Sequence, residues 1–544
     1  MHTYSITRFL FLILIVAQFS CNGYQKQVDS ERPNIVFIMT DDHSYQTLSA
    51  YDDRFIETPN LDRIAEDGVQ FVNSFVANSI CAPSRATLLT GKHSHINGQI
   101  NNQRAFDGSQ QTFPKLLQKA GYQTALIGKW HLRSTPTGYD YYDRLIGQGD
   151  YYNSDFITNG DTARAHGYVT DVITDKSIQW LENRNPDKPF ALQVHHKASH
   201  RVWMPDTSTL GAFQDTNIPV PETFFDDFKG KQYLKTGFGE QPQRVPMRIA
   251  AAESRMSIAA DDMDLVYDLK MLDEEGEIQT KYRSMYANGS YVRLDEQQKA
   301  AWDAHYDPII RAFKQKRDQM SDRELAIWKY TRYMQDYLAT IHTLDNNVGR
   351  LLDYLKAEGL YENTLVVYTS DQGFYMGEYG WFDKRFMYEQ SMRTPLLMKF
   401  PKGIKTREKV DELVQNIDWA PTLLDLAGVE VPADMQGKSL LPLVKGEQSS
   451  WRDALYYHYY EFPNEHMVKK HYGIRTERYK LIHFYDDIDT WELYDLQEDP
   501  MELNNLYGQP EYAQLTHNLK EQLQDLRIKY QDKTGVPIEF DDQQ

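Results

Sequence analysis

Cysteine is nearly absent from this 544-residue chain: Cys21 and Cys81 are the only two, and Cys21 falls in an N-terminal targeting segment. No disulfide framework can hold the folded part together, and Cys81 is left as a single internal thiol with nothing to pair with. Such a thiol is either a small buried apolar residue or a chemically special one. Positive charge is also short. With 59 Lys and Arg against 78 Asp and Glu, the formal net charge is -19, which argues against nonspecific nucleic-acid binding, because that needs a basic footprint. A polyanionic substrate would be repelled by the overall field, so a local cluster of cations and a metal would have to reverse the sign inside its pocket. The N-terminal apolar run, residues 9–17, is too short to span a bilayer comfortably, and the chain shows no internal repeat and no low-complexity tract.

What is present is an ordinary folded composition. Apolar residues make up 41% and charged residues 25% of the chain, far from the signature of disorder, and the length suits one large α/β core with a smaller companion. His2 and Arg8 precede the apolar run, so residues 1–21 read as a secretory signal peptide. Ser20 followed by Cys21 resembles bacterial lipoprotein signals, in which a cysteine is lipidated and becomes the mature N-terminus. Gln18 stands where those signals usually have an aliphatic residue, which leaves a plain secreted or periplasmic product as the alternative. The expectation is an exported bacterial protein, periplasmic or membrane-anchored through lipid, of undetermined oligomeric state.

After Pro33 the run Asn34, Ile35, Val36, Phe37, Ile38, Met39 is apolar and largely β-branched, which predicts a strand buried on both faces of a sheet. It ends in Thr40, Asp41, Asp42, and carboxylates at the carboxyl end of a central strand lie where open α/β sheets bind ligands. Helices are expected over 114–120 and 171–182 and strands over 124–127 and 190–194, the alternation of an α/β fold. Residues 201–319 are weakly periodic and acidic in places, and read as insertions and loops shaping an active-site rim. Ser321 and Glu324 form a capping box, and Met334, Leu338, Ile341, Leu344, Val348, Leu351 and Leu355 mark one face of a long helix closed by Gly359. A strand over 364–368 then delivers Asp371 and Gln372 to a second strand end, and another is expected over 395–400. From about residue 451 the texture turns aromatic and β-prone, with a final amphipathic helix over 512–529.

Cys81, Ala82, Pro83, Ser84, Arg85, followed by Thr90 and Gly91, fit the pattern CxPSRxxxxTG. The run resembles the signature of the type I, formylglycine-dependent sulfatases, in which a formylglycine-generating maturation enzyme oxidises the cysteine to an aldehyde. Pro83 suits the first turn of a helix, placing position 81 at a helix N-terminus where anions are stabilised. A hydrated aldehyde has one hydroxyl to attack sulfur and a second whose collapse to the carbonyl ejects sulfate.

The resemblance extends in order along the chain. It implies one calcium, with magnesium second, held by Asp41, Asp42, Asp371 and Gln372 together with modified Cys81; all are oxygen donors, as a hard cation requires. Gln372 departs from the commoner Asn or His there but still offers a carbonyl oxygen. Gly128, Lys129, Trp130, His131, Leu132 resembles a segment in which Lys129, with Arg85, holds the developing oxyanion while His131 takes the proton as the aldehyde re-forms. Lys197, Ala198, Ser199, His200 resembles a segment in which Lys197 grips the sulfate and His200 protonates the leaving oxygen; Ser199 replaces the usual proline. Lys384 matches the remaining sulfate-binding lysine, and Arg385 beside it reads equally well as a structural ion-pair partner. In the tail, His471 is expected to recognise the sugar.

The fold so implied is the α/β, alkaline-phosphatase-like sandwich, a large mixed sheet flanked by helices. Residues 30–445 would form the catalytic domain, with its insertion near 201–319, and residues 450–544 a smaller C-terminal α+β unit. The likeness to bacterial carbohydrate sulfatases implies a sulfated polysaccharide or its oligosaccharides as substrate, algal such as ulvan, or a glycosaminoglycan. A phosphoester hydrolase of the same superfamily and a non-catalytic glycan-binding lipoprotein are the alternatives.

Overall fold

The computed structural model describes residues 32–225, 291–447, 450–463, 468–486 and 488–533. Residues 1–31, which include the expected signal peptide, and residues 226–290 of the insertion lie outside the described residues. Strand β1 (Asn34–Thr40) is buried along its whole length, as its uninterrupted apolar run predicts. The strands that follow in chain order are β2 (Val69–Phe71), β3 (Ser74–Phe75), β4 (Gln123–Gly128), β5 (Tyr141–Leu145), β6 (Asp155–Thr158), β7 (Asp161–Arg164), β8 (Phe190–His195), β9 (Thr364–Ser370), β10 (Leu396–Lys399), β11 (Lys409–Val410) and β12 (Val414–Gln415). Among the described residues, ten of them form one sheet in the order β11-β2-β10-β9-β1-β8-β4-β5-β6-β7, while β3 and β12 pair separately. The centre is parallel: β1 runs with β8 and β9, and β4 with β8 and β5. Antiparallel β10 and the β5–β6–β7 meander make the sheet mixed.

Alternation along β1 builds two cores, because successive side chains of a strand point to opposite faces. Ile35, Phe37 and Met39 join the helices Cys81–Thr90, Phe113–Lys119 and Trp419–Leu426. Val36 and Ile38 join the helices Pro59–Glu66, Val169–Glu182 and Asp322–Ala357. The last of these carries the expected capping box between Ser321 and Glu324. All seven apolar residues of its predicted face are buried, each contributing at most about 1.5–3 kcal/mol.

The stretch 201–319, read from sequence as loops, holds a 21-residue helix, Glu296–Lys316. Only Trp302, Tyr306 and Phe313 of it are buried and Pro308 sits inside it, so its apolar period is faint. The signal that was there is its start, where Asp295 and Gln298 form a capping box.

A second sheet, β13 (Ala454–Tyr459), β14 (His471–Thr476), β15 (Tyr479–Phe484) and β16 (Thr490–Asp495), is antiparallel and in sequential order. One face, with Tyr456, Ile474, Leu481 and Leu493, packs on Leu519, Leu523 and Tyr530 of the helix Ala513–Tyr530. The other face, with Leu455, Tyr457, Tyr459 and Ile482, packs on Ile80, Phe386, Met387 and Tyr388 of the main body. The C-terminal sheet is thereby packed against both the segment around Ile80 and that around Phe386–Tyr388. No helix among the described residues is long and apolar enough to cross a membrane.

Candidate active site

Strands β9, β1, β8 and β4 are parallel neighbours, so their carboxyl ends open on one crevice. Asp41 and Asp42 follow β1, Asp371 and Gln372 follow β9, Lys197 follows β8 and Lys129 follows β4, and all six are buried. Lys129 reaches the crevice because Gly128 turns at φ +105, where a Cβ would stand 2.0 Å from the His195 carbonyl oxygen. Only glycine fits such an approach.

Cys81 opens the buried helix Cys81–Thr90, which closes at Gly91 in the left-handed region with φ +64. Pro83 lies in the first turn, where no intrahelical N–H is lost, and the Ala82 N–H donates to Asn102 Oδ1 at 3.0 Å. The Cys81 Sγ is 3.3 Å from Asp41 Oδ1 and 3.7 Å from Gln372 Nε2. One turn on, Arg85 closes its fork on Asp371 Oδ2 from Nε at 3.0 Å and Nη2 at 2.9 Å, and Nη1 donates to the Lys129 carbonyl at 2.8 Å.

One potential ligand atom each from Asp41, Asp42, Cys81 and Asp371 lies within 4.8 Å of the others. Lys129 is paired with Asp41, and Lys384 with Asp42 at 2.6 Å from Oδ2. Burial raises Asp42 to about 6, Lys384 lowering it and Asp371 and Asp383 adding to the rise. Burial pushes the Cys81 thiol up to about 12 and Lys197 down to about 8. Burial opposes the charge on Lys384, but Asp42, Cys81 and Asp383 together outweigh it and hold the lysine above its ordinary value.

These residues fit a hard divalent cation. Asp41, Asp42 and Asp371 bring hard oxygen donors together at one buried point, each also paired with a buried cation, Lys129, Lys384 and Arg85 in turn. Gln372 Oε1 is buried with no hydrogen-bond partner among the described residues, while its Nε2 donates to Asp42 Oδ1 at 2.5 Å. A half-turn of the amide exchanges the two ends.

The remaining predicted residues divide. His200 stands at the mouth, its side chain 17% exposed and its Nε2 3.7 Å from Asp42 Oδ2, and one of its ring nitrogens lies within 4.8 Å of ligand atoms of Asp41 and Cys81. Lys197 Nζ sits 5.0 Å from the centroid of Tyr151, whose hydroxyl donates to the His200 carbonyl at 2.7 Å. His131 is half-buried, and desolvation, with the charges of Lys129, Arg85 and Lys384, holds it well below its usual value. Arg385 pairs with Asp383, the structural role left open by the sequence.

His471 is the correction. It is fully buried, its Nε2 accepts from the Met387 N–H at 3.1 Å, and its Nδ1 bonds the Lys469 carbonyl at 2.8 Å. Its ring stacks with Phe386, Tyr457 and Tyr459. Both nitrogens are engaged by backbone, so no face or edge is left for a sugar. Asn102 and Tyr151, which support Cys81's helix and His200, were not singled out by sequence; neither lies in a pattern that would have marked it.

This fold and site define an alkaline-phosphatase-like hydrolase with an acidic, metal-fitting centre. A family model described as Sulfatase matches residues 33–429, and one described as N-sulphoglucosamine sulphohydrolase, C-terminal, matches residues 377–529. The chain belongs to the sulfatase family and is a sulfuric ester hydrolase. It is 48% identical to an N-acetylglucosamine-6-O-sulfatase of Bacteroides thetaiotaomicron, over 94% of this chain and 89% of the relative. A solved structure, described as in complex with its substrate D-glucosamine-2-N,6-O-disulfate, is 47% identical with a TM-score of 0.86, covering 93% of this chain and 99% of that one. An ulvan-active sulfatase of Formosa agariphila is 26% identical over 94% of this chain and 85% of its own length.

Proposed function

We propose that the chain removes the 6-O-sulfate of glucosamine residues, N-acetylated or N-sulfated, in saccharides derived from glycosaminoglycans. The observation that carries this reading is the 48% identity to an N-acetylglucosamine-6-O-sulfatase across 94% of the chain, set against 26% to the ulvan-active sulfatase. Glycosaminoglycan fragments are therefore favoured over ulvan.

Conversion of Cys81 to formylglycine supplies a hydrated aldehyde whose two hydroxyls divide attack on sulfur from release of sulfate, so no water need attack a sulfated enzyme. Asp41, Asp42, Asp371 and Gln372 would hold calcium, with magnesium second, whose charge lowers the cost of an ionised hydroxyl and a polyanionic transition state. The chain's own cations do the rest. Lys197 and Lys384 grip the sulfate oxygens, and Lys129 steadies charge at position 81. Arg85 fixes Asp371 and the Lys129 turn. His200, whose side chain is 17% exposed at the mouth, gives its proton to the leaving sugar oxygen, while His131 withdraws one as the carbonyl re-forms.

Sulfate release from a panel holding 6-sulfated N-acetylglucosamine, N,6-disulfated glucosamine, sulfated ulvan oligosaccharides and an aryl phosphate tests the reading. Release from the two glucosamines supports it; release from ulvan alone, or faster phosphate than sulfate hydrolysis, sinks it. Residues 1–21 further support an exported protein, periplasmic or lipid-anchored at Cys21. Palmitate labelling that persists in a Cys21→Ala variant would exclude the anchor.

A further inference from the structure

The strap 383–389, which carries Lys384, takes one backbone bond from the Tyr375 N–H at its start and further anchors from the C-terminal sheet and the chain following it. Its backbone is unusual: Asp383 and Arg385, on either side of Lys384, have φ of +80 and +94, a region that L residues keep only where their surroundings over-determine it. Beyond the Tyr375 bond to Asp383, three alternate backbone groups add to that constraint. The Arg385 carbonyl accepts from the Tyr457 hydroxyl at 2.6 Å, the Met387 N–H donates to His471 Nε2 at 3.1 Å, and the Glu389 N–H donates to Glu502 Oε2 at 2.8 Å. The Glu389 side chain is gripped in turn by Arg475 at 3.2 Å and Lys480 at 2.9 Å.

Tyr457 does one thing more. The same hydroxyl that donates to Arg385 accepts from the Ser79 N–H at 3.1 Å. Ser79 lies two residues before Cys81, and Ile80 between them packs on the same face of the sheet. One buried hydroxyl therefore ties the segment entering the Cys81 helix to the residue next to Lys384. Burial holds that phenol above its ordinary value, so it keeps the proton it donates.

We propose that Tyr457 is a positioning residue of the active centre, whose hydroxyl fixes the separation between Cys81 and Lys384, with His471 as the second anchor of the same strap. This rests on the sulfate-gripping role given to Lys384 above. Tyr457 touches no substrate. It acts through Lys384, and the loss of its hydroxyl leaves the lysine present but wrongly aimed.

The test is Tyr457→Phe in the calcium-loaded enzyme with converted Cys81, alone and combined with Lys384→Ala. Steady-state kinetics are paired with calorimetric titration by inorganic sulfate, which does not depend on which sugar the enzyme prefers. Misplacing one charged contact predicts about fivefold weaker sulfate binding and kcat/KM lower by about ten- to a hundredfold, with far-UV circular dichroism unchanged. In the Lys384→Ala background the same substitution should alter sulfate affinity by less than about twofold, because the two residues act as a unit. His471→Gln, which keeps an acceptor near Nε2, should retain more sulfate affinity than His471→Phe. Unchanged kinetics and sulfate affinity in Tyr457→Phe, or equal losses with and without Lys384, would overturn the proposal. An unaffected sulfate affinity in Lys384→Ala alone would remove its premise. Failure on every glucosamine, with tight sulfate binding retained, would instead count against the substrate reading.

Discussion

Substituting Arg85 by alanine removes three hydrogen bonds from the centre of the site at once: two to Asp371 and one to the Lys129 carbonyl. Asp371 has 0% exposure and would then face Asp41 and Asp42 with one fewer cation. Taking away one member of a buried ion pair costs about 3–5 kcal/mol, and an orphaned buried carbonyl about 1–3 kcal/mol. Because one side chain makes both contacts the two costs overlap, and a loss of about 4–6 kcal/mol is expected. Arg85→Lys keeps the charge but not the planar fork, so it should cost less, about 2–3 kcal/mol. Urea unfolding followed by tryptophan fluorescence, in chelator and again in calcium, reads both variants. Calcium should recover part of the alanine loss, since the ion neutralises the carboxylate left unpaired. Arg85→Ala as stable as the parent, or Arg85→Lys as damaging as alanine, would refute this account of how the centre is held.

Two further outcomes are expected. Chelation should lower the unfolding temperature, and calcium at a hundredfold over its dissociation constant should return about 2.7 kcal/mol; Asp371→Asn should blunt that response, and an identical response in the variant would contradict the ligand set. Burial holds His93 down to about 3, His458 to about 4 and His471 to about 3, all neutral in the folded state. The unfolded chain takes up these protons near pH 6.5, so stability is complete above about pH 6.5 and falls on acidification toward 4, by up to about 1.4 kcal/mol per pH unit for each histidine. Thermal melts across that range check the sign, and a melting temperature that rises on acidification would contradict it.

The parts of the fold legible in the sequence are those where burial dictates residue type. β1 and β9 are covered on both faces, and their apolar runs say so; the face of Asp322–Ala357 repeats at helical spacing because one side is packed. The helix Glu296–Lys316 hid because few of its residues are buried. In the site, Cys81 and Arg85 were legible from one local pattern, and the strand-end carboxylates from their position after apolar runs. His471 misled for a physical reason: a histidine among charged neighbours reads as a polar contact, whereas tertiary packing encloses it in aromatic rings and spends both nitrogens on backbone. Tyr457 was equally illegible, since an aromatic in a strand reads as packing, and its bonds to Ser79 and Arg385 join segments 378 and 72 residues away.

Peptide mass spectrometry across Cys81, on protein coexpressed with a formylglycine-generating enzyme, should be paired with sulfate release from 6-sulfated glucosamine saccharides in the same sample. Thiol-to-aldehyde conversion at Cys81 together with release from the 6-position is the expected result, with turnover abolished and the fold retained in Cys81→Ala. Full sulfate release by protein whose Cys81 is unmodified or replaced by alanine would contradict the central claim.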